Sequence, residues 1–212
     1  MGAETVQRPI WYYANTIMKM LGITDMQMYI NPQSTHQIFL ENTEPPSLII
    51  SQALIDRFSE PELRFILAKY MFYIWQRQTL AYKLPVEELN VYFQLLKTCF
   101  IPVEEQCTPE AEKLQQKIKG SLPRKVKKIL ETKSELWESM QKISTKQYVK
   151  CLEYSSNRLA LLVTDSLELS VKMVYLLSKL EEGETKSPHF PSLQEMAQVD
   201  GISDLLLFNM SE

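Results

Sequence analysis

The segment ELRFILAKYMFYIWQ, Glu62 to Gln76, leaves few ways to fold. From Phe65 to Trp75 every residue is apolar or aromatic except Lys69. Just upstream, Ser59-Glu60-Pro61-Glu62 places a hydroxyl three residues ahead of a carboxylate, the spacing of a helix-starting capping box, with a proline in the first turn. The spacing predicts a helix with two apolar faces. Leu63, Ile66, Leu67, Tyr70, Met71 and Ile74 form one, and Phe65, Ala68, Phe72 and Trp75 form the other. Such a helix must be enclosed on most sides, so the remaining chain has to supply layers around it. With 212 residues, 45% of them hydrophobic, it can. Lys69 is the anomaly, a lone cation in a segment otherwise built for a core.

Upstream, Arg8 to Leu21 reads as an opening helix stopped by Gly22. MQMYI (Met26–Ile30), HQIFL (His36–Leu40) and SLII (Ser47–Ile50) are short strand-like runs divided by Asn31-Pro32 and Pro45-Pro46. They predict a small sheet of two or three strands near residues 26–50. Ser51 to Phe58 reads as a short helix. The expected fold class is α+β and predominantly helical.

Downstream, Val86 to Lys133 reads as helices divided at Ile101-Pro102, Thr108-Pro109 and Gly120 to Pro123, with Thr108 as an N-cap. Ser134 to Val163 is helical in pattern, and Asp165-Ser166-Leu167-Glu168 suggests a second capping box for a helix to about Leu180. Residues 1–180 are expected to form one domain, 181–191 a linker, and 192–212 a short helical tail around DLLLF (Asp204–Phe208). An apolar helix ending this close to a terminus is the pattern of a piece of a longer protein.

Composition removes several function classes. The formal charge of -3 gives no reason to expect a polyanion partner for the whole molecule. The basic residues Lys117, Lys119, Arg124, Lys125, Lys127 and Lys128 lack interleaved aromatics and read as a solvated face. No Walker, Rossmann or GxSxG pattern is present. Two histidines, His36 and His189, leave few ligands for a metal or bases for catalysis. Cys99, Cys107 and Cys151 have no close pairing and read as free thiols. The N-terminal MGAETVQRP lacks a secretory pattern, and Val6 stands where a myristoylation motif needs Ser or Thr. No apolar run reaches the roughly 20 residues of a membrane span. The expectation is a cytoplasmic protein with no span.

Two passages carry a resemblance. PPSLIISQALIDRFSEPELRFILAKYMFYI resembles the core of zinc metallopeptidases of the HtpX and CAAX-prenyl-protease type, in which a strand, a short helix and a "sexEL" cap lead into an active-site helix of pattern AHExGHI. Ala68 and Ile74 match that pattern. Lys69 and Tyr73 stand at the two zinc-binding histidines, Tyr70 at the glutamate base, and Phe72 at the glycine. Further on, CLEYSSNRLALLVTDSLELSVKMVYLL resembles the motif of type EYxAD that carries the third ligand. Glu153 would be that ligand retained, and Asn157 replaces the aspartate. The resemblance spans about Gly22 to Leu180.

It implies a zincin-like fold without its chemistry. Positions four apart share a helix face, which is how two imidazoles grip one zinc. A lysine and a phenol on that face cannot replace them, and one carboxylate does not make a three-ligand site. The implied relic site is Lys69, Tyr70, Tyr73, Glu153 and Asn157, with no metal, no catalytic residue and no cofactor. Lys69 is expected to pair with Glu153 in the metal's electrostatic place, with Tyr70 or Tyr73 adding a hydroxyl. A groove beside an edge strand at Ser47–Ile50, either open to a peptide or filled by Tyr70, Phe72 and Tyr73, is expected, as are docking surfaces on the Met-rich first helix or DLLLF. The expected function is a non-catalytic pseudopeptidase acting as a scaffold or protein-interaction module in a larger assembly. Its partners are other proteins, with no nucleic acid expected. The alternatives are an active hydrolase with a non-standard site, and a helical nucleic-acid-binding domain using the Lys117–Lys128 cluster.

Overall fold

The computed structural model describes residues 9–32, 37–100, 109–132, 144–181 and 190–211. The chain is predominantly helical with one three-stranded sheet, an α+β protein. It forms two compact units, one of residues 1–83 with 151–212 and the other of residues 84–150. The division differs from the expected one: residues 192–212 belong to the first unit, and the excursion is in the middle of the chain.

In the first unit, α1 (Ile10–Leu21) ends where Gly22 takes a left-handed φ of 66°. There the Gly22 N–H reaches Lys19 O, and Ile23 N–H reaches Met18 O, so two carbonyls of the last turn are satisfied. The strands β1 (Gln27–Asn31), β2 (Ile38–Glu41) and β3 (Ser47–Ser51) follow. Their order is β1-β3-β2, with β1 parallel and β2 antiparallel to β3. Strand β3 is therefore central, which corrects the expected edge strand at Ser47–Ile50. The physical reason is visible in SLII itself, whose apolar run does not alternate because most of it is covered on both sides. On the inner face, Met28, Leu48 and Leu40 form one cross-strand row and Ile30, Ile50 and Ile38 the next.

Ser51 caps α2 (Gln52–Arg57) through its hydroxyl, which accepts from Leu54 N–H. Helix α3 (Glu60–Trp75) starts with the predicted box, Glu62 Oε2 accepting from Ser59 N–H at 2.7 Å and Ser59 Oγ at 2.6 Å. Leu63 and every residue from Phe65 to Ile74 is buried, so this helix is the centre of the core. Helix α1 packs on it, and α4 (Thr79–Lys83) follows it.

The second unit holds α5 (Val86–Phe100), α6 (Pro109–Ser121) and α7 (Arg124–Thr132). Helix α8 (Thr145–Thr164) begins there: Thr145 Oγ1 donates to Asn90 Oδ1 at 2.8 Å, and Tyr148 meets Phe93 edge-on at 5.8 Å. Burial pushes the Tyr148 phenol above its ordinary pKa. In the basic cluster, Lys117, Lys119, Arg124, Lys125 and Lys128 are exposed and Lys127 is half-buried. Thr108, His36, His189 and Cys107 lie outside the described residues.

From Cys151 onward α8 belongs to the first unit, as do α9 (Leu167–Glu181), α10 (Leu193–Met196) and α11 (Asp200–Met210). The second capping box is shifted by one residue. Ser166 is the cap, its hydroxyl accepting from Leu169 N–H, while Glu168 turns to Lys172 one helical turn on. That neighbouring ammonium holds the Glu168 carboxyl below its ordinary pKa. A capping box does open α10, between Ser192 and Glu195. Among the described residues no helix is long and apolar enough to cross a membrane.

Candidate functional site

Helices α3 and α8 meet at Lys69. Its side chain is only 6% exposed, and its ammonium donates to Asn157 Oδ1 at 2.9 Å, joining residues 88 positions apart. The hydrogen bond also fixes the amide's orientation. With its NH2 turned toward the lysine, two donors would face each other, so the oxygen must point to Lys69 and Nδ2 away from it.

Asn157 is fully buried, and its Nδ2 has no hydrogen-bond partner. What it meets is Gly201, in the first turn of α11. A Cβ on Gly201 would fall 2.9 Å from Asn157 Nδ2 and 3.3 Å from Val174 Cγ1. Glycine is required here for close approach, since any side chain would collide with a buried amide and a packed valine. The α11 helix is further fixed by Arg158, which forms a two-pronged contact with Asp204 (Nε to Oδ2, 2.8 Å) and lies over the Phe208 ring at 5.1 Å. Hydrogen bonding to Asp204 raises the Arg158 pKa.

The expected Lys69–Glu153 pair is replaced by the amide contact. Glu153 is exposed, and its Oε1 lies 3.9 Å from the Gly201 Cβ position, beside the start of α11, where the helix dipole favours a carboxylate. Asn157 follows Glu153 by one helical turn, so both share a face, and the residue nearer the core takes the lysine. Tyr70 and Tyr73 are buried and converge on Tyr82 of α4. Tyr70 meets it edge-on at 5.4 Å, and Tyr73 lies tilted at 5.2 Å. Of the five residues singled out in the sequence, the structure thus joins Lys69 to Asn157 and groups the two tyrosines, while Glu153 faces α11.

Tyr82 also closes the sheet. Its hydroxyl donates to Ile38 O at 3.4 Å, Thr79 Oγ1 donates to Asn42 Oδ1 at 3.1 Å, and Lys83 pairs with Glu41, so α4 lies along the outer edge of β2. A groove of about 230 Å³ remains between Phe39, Leu54, Tyr70, Tyr82 and Leu177. Gly201, Tyr82 and the Arg158–Asp204 contact are absent from the sequence reading. Asp200-Gly201 was the available signal for Gly201, an acidic residue and a glycine just ahead of an apolar helix.

The donor set does not fit a zinc ion. A buried ammonium occupies the position where the resemblance places a first ligand, and it is hydrogen-bonded to a neutral amide. Among the described residues, no three His, Cys, Asp or Glu side chains gather closely enough to hold a metal. Comparison of the chain with protein-family models, curated proteins and solved structures returns no match.

Proposed function

We propose that the chain is a degenerate relative of the HtpX and CAAX-prenyl-protease type of zinc metallopeptidase, a zincin-like fold kept as a cytoplasmic, non-catalytic protein-interaction module. The observation that carries this reading is the Lys69–Asn157 hydrogen bond. The resemblance requires the segment following the "sexEL"-type cap and the segment following Glu153-Tyr154 to converge, and these two segments supply the contact. The residues at the point of convergence suit structure rather than hydrolysis, with a cation and an amide in place of zinc and its ligands.

The groove supports the same reading. A peptide held by strand addition needs a free strand edge, and at β2 that edge is taken by α4, with three tyrosines crowding the groove beside it. The exposed thiol of Cys151 favours a reducing compartment. For docking, α1 offers exposed Trp11, Tyr12 and Met20. DLLLF offers less than its sequence suggests, because Leu205 is fully buried and Asp204 and Phe208 engage Arg158. The deciding experiment is elemental analysis of the purified chain, paired with a peptide-hydrolysis assay with and without chelator. Substoichiometric zinc and no chelator-sensitive cleavage are expected. Stoichiometric zinc lost on replacing Glu153, or hydrolysis abolished by chelation, would overturn the reading.

A further inference from the structure

The two edges of the sheet are treated differently. The β2 edge is covered by α4, through Tyr82, Thr79 and Lys83. Strand β1 is the other edge. Its sequence, Gln27-Met28-Tyr29-Ile30-Asn31, contains no charge, no proline and no bulge, the devices that ordinarily protect an edge strand from pairing. Met28 is buried in the core, while Tyr29, 50% exposed, and Ile30, 37% exposed, are open to solvent.

The backbone direction of β1 follows from its pairing. Gln27 N–H donates to Pro46 O at 2.9 Å, with Gln27 in register with Ser47. Peptide groups alternate along a strand, so Gln27, Tyr29 and Asn31 turn their N–H and C=O toward β3, and Met28 and Ile30 turn theirs outward.

Read in both directions, the strand matches itself: an amide at each end, an aliphatic residue inside each amide, and an aromatic residue at the centre. Two copies placed antiparallel about Tyr29 bring Met28 opposite the partner's Ile30. These are the two residues with outward peptide groups, and each such pair exchanges both main-chain hydrogen bonds. Gln27 then faces the partner's Asn31. Tyr29 faces the partner's Tyr29 across the axis, in the closely spaced pair type that brings side chains together. The partner's Met28 would cover the exposed flank of Ile30. The outer row Tyr29–Ile49–Phe39 would run on across the axis into the same row of the partner. We propose that this protein forms a two-fold symmetric homodimer by antiparallel pairing of β1 with β1 of a second copy, giving one continuous six-stranded sheet. Because β2 is covered at both ends of that sheet, the assembly closes at two copies.

The symmetry supplies its own test, since position 29 is the one place where a residue meets itself. In sedimentation of the whole chain over a concentration series, the wild-type mass rises from 24.8 kDa toward twice that value. Tyr29→Lys and Tyr29→Glu each place like charges opposite one another and raise the dimer dissociation constant about tenfold or more, while their circular dichroism stays that of the wild type because Tyr29 is solvent-exposed. Mixing the two variants restores the dimer. A wild-type chain that stays at 24.8 kDa throughout, single variants that dimerise as tightly as the wild type, or a mixture that remains monomeric would each overturn the proposal.

Discussion

Lys69 donates to Asn157 inside the core, at 2.9 Å. The ammonium is nearly out of water, and a hydrogen bond to a charged group is worth more than one between neutral groups because the alternative is a poorly solvated ion. Asn157→Leu therefore removes an acceptor from a buried cation at a cost of about 2–3 kcal/mol, which for a chain of this size lowers the thermal midpoint by about 5–10 °C. Lys69→Met removes the cation itself. The double variant carries neither charge nor orphaned acceptor, so it should be more stable than the sum of the single losses by about 1 kcal/mol or more. Strict additivity in that cycle would mean the contact carries no energy of its own. Gly201 belongs to the same cluster from the other side. Gly201→Ala drives a methyl group into Asn157 Nδ2 and Val174, costing about 1–3 kcal/mol. The same change in an Asn157→Ala background should cost distinctly less, because the nearest obstructing atom is gone. Equal costs in the two backgrounds would place the strain elsewhere.

Among the elements, α11 shows how a segment that looks like a tail becomes part of a core. Ile202 and Leu205 are fully buried, and Arg158 grips Asp204 while stacking on Phe208. The Arg158 side chain is 40% exposed, so solvent screening limits the pair's contribution to about 1 kcal/mol or less. Asp204→Asn should accordingly speed amide exchange across Ile202–Leu206 by up to about fivefold, leaving the amides of α3 unchanged. A uniform rise in exchange would show that the pair acts on global stability rather than on this helix. The elements that could be read from the sequence are those specified locally. The boundaries of α3 follow from Ser59 and Glu62, its all-round burial from two apolar faces, and the end of α1 from Gly22. What could not be read depends on distant partners. That Lys69 meets Asn157 rather than Glu153 is a choice between two residues on one helix face, decided by how α8 rotates against α3. That Ser166 rather than Asp165 caps α9 is a one-residue shift, set where the chain turns through a positive φ at Asp165. The central place of β3 was visible in its lack of alternation, but the coverage of β2 depends on Tyr82, more than forty positions away in a segment with no strand or motif signal.

For the molecule as a whole, the decisive fact is that the first unit is assembled from two separate stretches of chain. The sheet and α3 come from before residue 84, whereas α9, α11 and most of α8 come from after residue 150. The buried residues of both stretches form a single hydrophobic cluster, so the covalent path through residues 84–150 is not what holds that core together. The intervening unit, in contrast, presents six exposed lysines and arginines on α6 and α7, five of them close to the non-helical Leu122-Pro123 junction. Trypsin at low ratio should cut first in this region, near Lys119 to Lys125, because cleavage requires local opening and the solvent-facing helix ends open at the lowest cost. The nicked protein should then elute from gel filtration at the volume of the intact chain, its two fragments separating only in denaturant. Its α3 amides should exchange at nearly the intact rate, since no buried contact of Phe65 to Ile74 has been severed. Fragments that part under native conditions would show that the core needs the continuous chain, and that the first unit is not held by its own interior.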